Sequence, residues 1–84
     1  MLNLEIKTKL SPEDAAAQVK RFFGVGGQGL HLCEEKEGCL TFEGGGGYVT
    51  AQIAADKVGT RIDLLSQEWD YQVKEFAIWL PKSV

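Results

Sequence analysis

Only one histidine and two cysteines occur among the 84 residues, and that scarcity excludes most of the chemistry a small chain could carry. A nucleophilic serine or cysteine needs a base beside it, and His31 would have to be that base for every candidate nucleophile. Cys33 and Cys39 are too few for the disulfide framework of a small secreted scaffold. There is no apolar run of about 18 residues that could cross a bilayer as a helix. Residues 1–7, Met-Leu-Asn-Leu-Glu-Ile-Lys, lack the basic start and long apolar stretch of a secretion signal. The expected setting is therefore cytoplasmic, with no membrane partner. Positive charge is also short: nine Lys and Arg against twelve Asp and Glu leave a net charge of −3, which argues against a general grip on phosphate backbones and against a nucleic-acid partner. Lys7, Lys9, Lys20 and Arg21 interleave with Glu5, Glu13 and Asp14, as on a solvated mixed-charge surface.

What is present is patterned for a single domain spanning residues 1–84. Leu2, Leu4, Ile6 and Thr8 alternate with Asn3, Glu5, Lys7 and Lys9, the period of a half-buried strand. Ser11-Pro12-Glu13-Asp14 then opens a helix, with Ser11 as N-cap, Pro12 in the first helical position and Asp14 placed to return the capping bond. Ala15, Ala16, Val19, Phe22 and Phe23 form its apolar stripe, and Gly24 is expected to close it in the left-handed conformation. A glycine loop follows, Val25-Gly26-Gly27-Gln28-Gly29.

Leu30, Leu32 and Glu34-Glu35 begin a second strand, which meets a third, Cys39-Leu40-Thr41-Phe42-Glu43, across a turn. A three-residue loop, Lys36-Glu37-Gly38 with Gly38 left-handed, sets Leu32 opposite Phe42 and keeps both on one face. The same register pairs Glu35 with Cys39 and Cys33 with Thr41. It leaves the two cysteines diagonal, beyond the ~5.5–6 Å Cα spacing of a disulfide, so both thiols are expected to be free. Gly44 to Gly47 read as a flexible hairpin tip before a fourth strand, whose Val49, Ala51, Ile53 and Ala55 point inward. After the turn at Asp56-Lys57-Val58-Gly59, residues 60–66 form a fifth strand with Ile62 and Leu64 inward. Leu65 breaks its alternation and belongs either on the outer face or at the mouth beside Tyr48.

Residues 66–82 read as one closing helix, with Ser66 as N-cap, Glu68 and Asp70 near its positive pole, and Pro81 as terminator. Trp69, Val73, Phe76, Ala77 and Leu80 make its core stripe, while Tyr71, Ile78 and Trp79 project elsewhere. The resulting fold class is α+β: a β-α-β-β-β-β-α chain whose five-stranded antiparallel sheet carries both helices on one face.

Motif-like strings have simpler readings. Gly24-Val25-Gly26-Gly27-Gln28-Gly29 fits G-x-G-x-x-G, but the dinucleotide fingerprint needs a strand before it and a helix after it, and here the order is inverted. Gly44 to Gly47 lack the Lys-Ser/Thr pair of a phosphate loop. His31, Cys33, Glu35 and Cys39 share one hairpin face in the preferred register and include zinc-ligand types, but their spacing matches no zinc pattern, so they read as polar decoration of an edge strand. Arg61 and Asp63 read as a surface ion pair.

The element order, the glycine hairpin at 44–47 and the aromatic closing helix from Trp69 to Leu80 resemble the helix-grip architecture of TATA-binding-protein-like and START-like (SRPBCC) folds, and small bacterial domains of that type. START-like proteins hold apolar molecules between a curved sheet and the closing helix, so the resemblance implies a similar binding role. This chain lacks the elements that follow the first helix in that pattern and widen the cavity. On this reading the protein is a non-catalytic module binding a small apolar ligand without a cofactor, with Phe22, Phe42, Ile53, Leu64, Trp69, Val73 and Phe76 lining the site. The alternative is a homodimeric or accessory protein-interaction subunit that associates through Tyr71, Ile78 and Trp79.

Overall fold

In the computed structural model, which describes residues 2–24, 26–57 and 59–80, alternation and capping produce the expected succession. The elements are β1 (Leu2–Thr8), α1 (Pro12–Phe23), β2 (His31–Lys36), β3 (Cys39–Gly44), β4 (Gly47–Asp56), β5 (Gly59–Gln67) and α2 (Asp70–Trp79). The five strands form one antiparallel sheet in the order β1-β5-β4-β3-β2, so the first strand closes beside the last. Both helices lie on its apolar face, α1 over β4 and β5, and α2 over β5 and β1. The accessible surface of 5083 Å² is close to the roughly 4,900 Å² expected of a monomer of this mass.

The core is the set of inward positions. Ile6, Leu40, Phe42, Val49, Ala51, Ile53, Ile62 and Leu64 from the sheet meet Ala15, Val19 and Phe23 of α1 and Val73 and Phe76 of α2. Buried polar groups among them are satisfied: Thr60 Oγ1 donates to the Leu10 carbonyl oxygen at 2.6 Å. At the start of α1 the Asp14 amide donates to Ser11 Oγ at 3.2 Å, the cap the sequence signals.

Several local expectations give way. Gly24 is extended rather than left-handed (φ −77°, ψ −162°), although its amide still donates to the Lys20 carbonyl. The β2–β3 connection is a two-residue turn, because Lys36 pairs with Cys39. Leu32 nevertheless faces Phe42, because a bulge at Cys33 inserts one extra residue into β2 and restores the facing that a two-residue loop alone would lose. Glu35 consequently pairs with Leu40, not Cys39, and reaches Lys20 of α1 in an ion pair. Both thiols are free. In β4, Ala55 keeps the inward side of the alternation, opposite buried Thr60, but is exposed where it lines the groove beside the start of α1.

Gly44 to Gly47 form the expected hairpin tip as a tight turn: Gly44 pairs with Gly47, and the central Gly45 and Gly46 have φ of 56° and 81°, the left-handed pair that the twist of a two-residue hairpin favours. Leu65 settles on the outer face, opposite Thr50 and Asn3.

The largest correction concerns Ser66. It is not the N-cap of α2 but a fully buried member of β5, paired with Leu2 on one side and Val49 on the other. A residue whose strand is bonded on both sides cannot open a helix, so α2 starts at Asp70, with Trp69 at the cap position, its side chain making no capping hydrogen bond. Ser66 Oγ instead donates to Asp70 Oδ1 at 2.6 Å. The chain turns from strand to helix at Glu68, the one non-glycine described residue with positive φ, 70°. Val25, Val58, Pro81 and Lys82, assigned above to a loop, a turn and the helix end, lie outside the described residues.

Candidate functional site

The seven residues expected to line a ligand site do come together, as packed interior. Phe42, Ile53, Leu64, Val73 and Phe76 belong to the buried core, and Phe22 and Trp69 pack half-buried against it. Phe76 sits at the centre of an aromatic cluster, its ring centroid 5.2 Å from Phe22, 5.4 Å from Phe23 and 6.0 Å from Trp79, separations typical of favourable tilted pairs. Trp69 packs against the β3–β4 turn. Its Nε1 donates to the Gly44 carbonyl at 2.8 Å, and its ring lies so near Gly45 that a Cβ there would meet Cζ2 at 3.1 Å.

Of these seven residues, Ile53 borders a groove of about 470 Å³ between the start of α1 and the β2–β3 hairpin. Ala16, Leu40 and Ile53 form its apolar part, and Glu13, Glu35 and Glu37 make the rim mainly acidic, with Lys36 the one cation among its lining residues.

Tyr71, Ile78 and Trp79 are the large hydrophobic side chains that remain exposed among the described residues, at 69%, 76% and 50%, and all three belong to α2. Val73 and Phe76 point into the core, so Tyr71, Lys74, Glu75 and Ile78, spaced i, i+3, i+4 and i+7, form the opposite stripe. Trp79 flanks that stripe on the side of α1, with its ring 5.8 Å from that of Phe22. Glu75 accepts from the Tyr71 hydroxyl and raises its pKa above the usual phenol value, first through that hydrogen bond and then through the carboxylate's charge. Lys74 and Glu75 received no role from the sequence; the signal for them was their position midway between Tyr71 and Ile78 on a face that the core stripe leaves free.

The reactive types are arranged differently. His31 pairs across the strands with Glu43, and Cys33 Sγ donates to the Thr41 carbonyl at 3.5 Å. Desolvation and then the Glu43 carboxylate push the Cys33 thiol pKa up, the opposite of the lowering that activates a cysteine nucleophile. Glu35 and Cys39 lie on opposite faces of the sheet, because Glu35 follows inward Leu40 while Cys39 shares the outer row with Gln52. Among the described residues, no group of three His, Cys, Asp or Glu side chains is placed to hold a metal ion.

The amides of Gly27, Gln28, Gly29 and Leu30 are occupied by carbonyls of Gly24, Phe22, Gly24 and Phe23, so this loop caps α1 and offers these amides to no phosphate. Lys7 and Lys20 are paired with Asp56 and Glu35, and Arg61 bridges Glu5 and Asp63 on the outer face. Among the described residues no helix is long and apolar enough to cross a membrane.

The geometry defines a two-layer α+β domain with a filled interior and an aromatic outer helix. Comparison of the chain with protein-family models, curated proteins and solved structures gave no match in any of the three.

Proposed function

We propose that this protein is a non-catalytic protein-interaction module of the cytoplasm whose contact surface is the outer face of α2. The observation carrying this reading is the confinement of exposed Tyr71, Ile78 and Trp79 to one helix. Aromatic and aliphatic anchors of this kind are enriched at the centres of interfaces, and a domain this small gains little by leaving them in water. The test is a photo-activated cross-linker placed at Ile78 and, as a control, at exposed Ala54 on the outer face of the sheet, in cells that make the protein naturally. The expected outcome is one discrete adduct from position 78 that Trp79→Ala abolishes. Equal labelling from both positions, or none from position 78, refutes the reading.

A second reading, the binding of a small apolar ligand, is supported by the groove beside Ile53. On this reading the ligand sits between α1 and the β2–β3 hairpin, because the space beneath α2 is filled by Phe76 and its neighbours. Saturable binding of an apolar fluorophore that Ala16→Trp blocks would support it, and the absence of saturable binding counts against it.

A further inference from the structure

We infer that the partner of α2 is a second copy of this chain, the two helices lying antiparallel across a two-fold axis that passes between Lys74 and Glu75. This inference rests on the reading of α2 as the contact surface. A two-fold interface must be self-complementary, and the register of the exposed stripe satisfies that requirement. Lys74 and Glu75 lie midway between Tyr71 and Ile78. Antiparallel pairing about that midpoint sets Tyr71 of each copy over Ile78 of the other, so both apolar anchors are covered twice. Trp79, on the flank facing α1, then falls beside Tyr71 of the second copy and extends the contact toward Phe22.

Charge agrees with this arrangement. The stripe contains one cation and one anion, both exposed, so pairing gathers two of each sign around the axis and adds no net charge to the contact. The sheet edge at β2 is a poorer route to self-association, because that strand is bulged at Cys33 and carries Glu34, Glu35 and Lys36, devices that discourage strand-to-strand pairing.

The exposed area sets the strength. Large side chains of this class present roughly 150–250 Å² each when free, so at the observed exposures Tyr71, Ile78 and Trp79 offer roughly 400 Å² per copy. With Lys74, Glu75 and Gln72 included, a two-fold contact buries on the order of 1,000 Å² in total, the lower bound for a specific interface. The expected dimer is therefore weak and concentration-dependent.

Sedimentation equilibrium of the full chain from about 1 µM to about 1 mM spans the range in which such an interface assembles. The wild-type mass should climb from the 9.2 kDa of one chain toward twice that value. Tyr71→Lys with Ile78→Lys should hold the protein at one chain throughout, because like charges meet twice. Tyr71→Lys with Ile78→Glu should restore dimers, because in the antiparallel register each lysine meets a glutamate. Both pairs of substitutions are at exposed positions, and circular dichroism would verify folding.

A wild-type chain that remains monomeric to about 1 mM overturns self-pairing, and so does a dimer indifferent to the double-lysine change. Restoration absent from the Lys/Glu variant overturns the antiparallel register. A monomer that still cross-links from position 78 to a different protein removes self-pairing but leaves α2 as the contact surface. A monomer with no such adduct removes both.

Discussion

Replacing Phe76 by alanine separates a filled interior from a ligand cavity more sharply than any other single change. The ring is fully buried and touches Phe22, Phe23 and Trp79 at centroid distances of 5.2 to 6.0 Å. Roughly 170 Å² of apolar ring surface returns to water or to an empty cavity, which at about 25 cal/mol per Å² costs ~4 kcal/mol. That figure agrees with the 3–5 kcal/mol typical of buried Phe→Ala changes. A chain of 84 residues is expected to have a total stability of about 4–12 kcal/mol, so the variant should sit near the edge of folding.

The assay is urea unfolding followed by tryptophan fluorescence and far-ultraviolet circular dichroism. With a slope near the lower end for small domains, ~1 kcal/mol per M, the midpoint should fall by roughly 3–4 M. Phe76→Leu, which keeps most of the volume, should cost only about 1–2 kcal/mol and remains measurable if the alanine variant does not fold. A loss under about 1.5 kcal/mol for Phe76→Ala, with an unchanged slope, would mean that the ring borders open space and would sink the packing argument.

Other perturbations test other joints. Trp69→Phe removes both the Nε1 bond to the Gly44 carbonyl, leaving that acceptor without its donor, and the indole atoms that pack beside Gly45; a loss of at least about 1–2 kcal/mol in the same unfolding assay is expected, and a smaller one would contradict this. Glu68→Gly should raise the melting temperature by several degrees, because a left-handed backbone costs a side-chain-bearing residue about 1 kcal/mol that glycine does not incur; a fall in melting temperature would contradict this. Gln18 Oε1 is buried without a hydrogen-bond partner, so Gln18→Met should be neutral or stabilising, and a loss above about 1 kcal/mol would show that the amide is satisfied. Because the Cys33 pKa is raised, its thiol stays protonated to higher pH than an ordinary cysteine, and its alkylation rate should rise late as pH increases. Glu43→Gln removes a carboxylate that opposes the thiolate, so the rate profile should move toward lower pH; an unmoved profile would reject that electrostatic link.

The candidate surface was readable in part. That Tyr71, Ile78 and Trp79 fall off the core stripe of α2 follows from helical period alone, and the structure leaves all three exposed. The pairing midpoint at Lys74 and Glu75 gains meaning only when the whole face is seen to be open. The seven interior residues were assembled into one cluster by strand alternation and helix spacing, but whether they would enclose space or fill it is a matter of packing, which periodicity does not encode. Ring distances among Phe22, Phe23, Phe76 and Trp79 depend on how α1 and α2 sit together on the sheet.

Patterns within a few residues determined the element order, the inward set and the start of α1, because side-chain period and the Ser11-Pro12 cap act through neighbours in the chain. Tertiary structure decided the cases in which two local uses competed for the same residue. Ser66 is a good N-cap by type, but the strands on either side claim its backbone and hold it in β5. Cys33 absorbs the extra residue that the sequence placed in the turn, because Leu32 and Phe42 must both face the core whatever the loop length. In each case hydrogen bonds and buried contacts distant in sequence outweighed a local preference of about 1 kcal/mol, and only the folded chain brings those partners together.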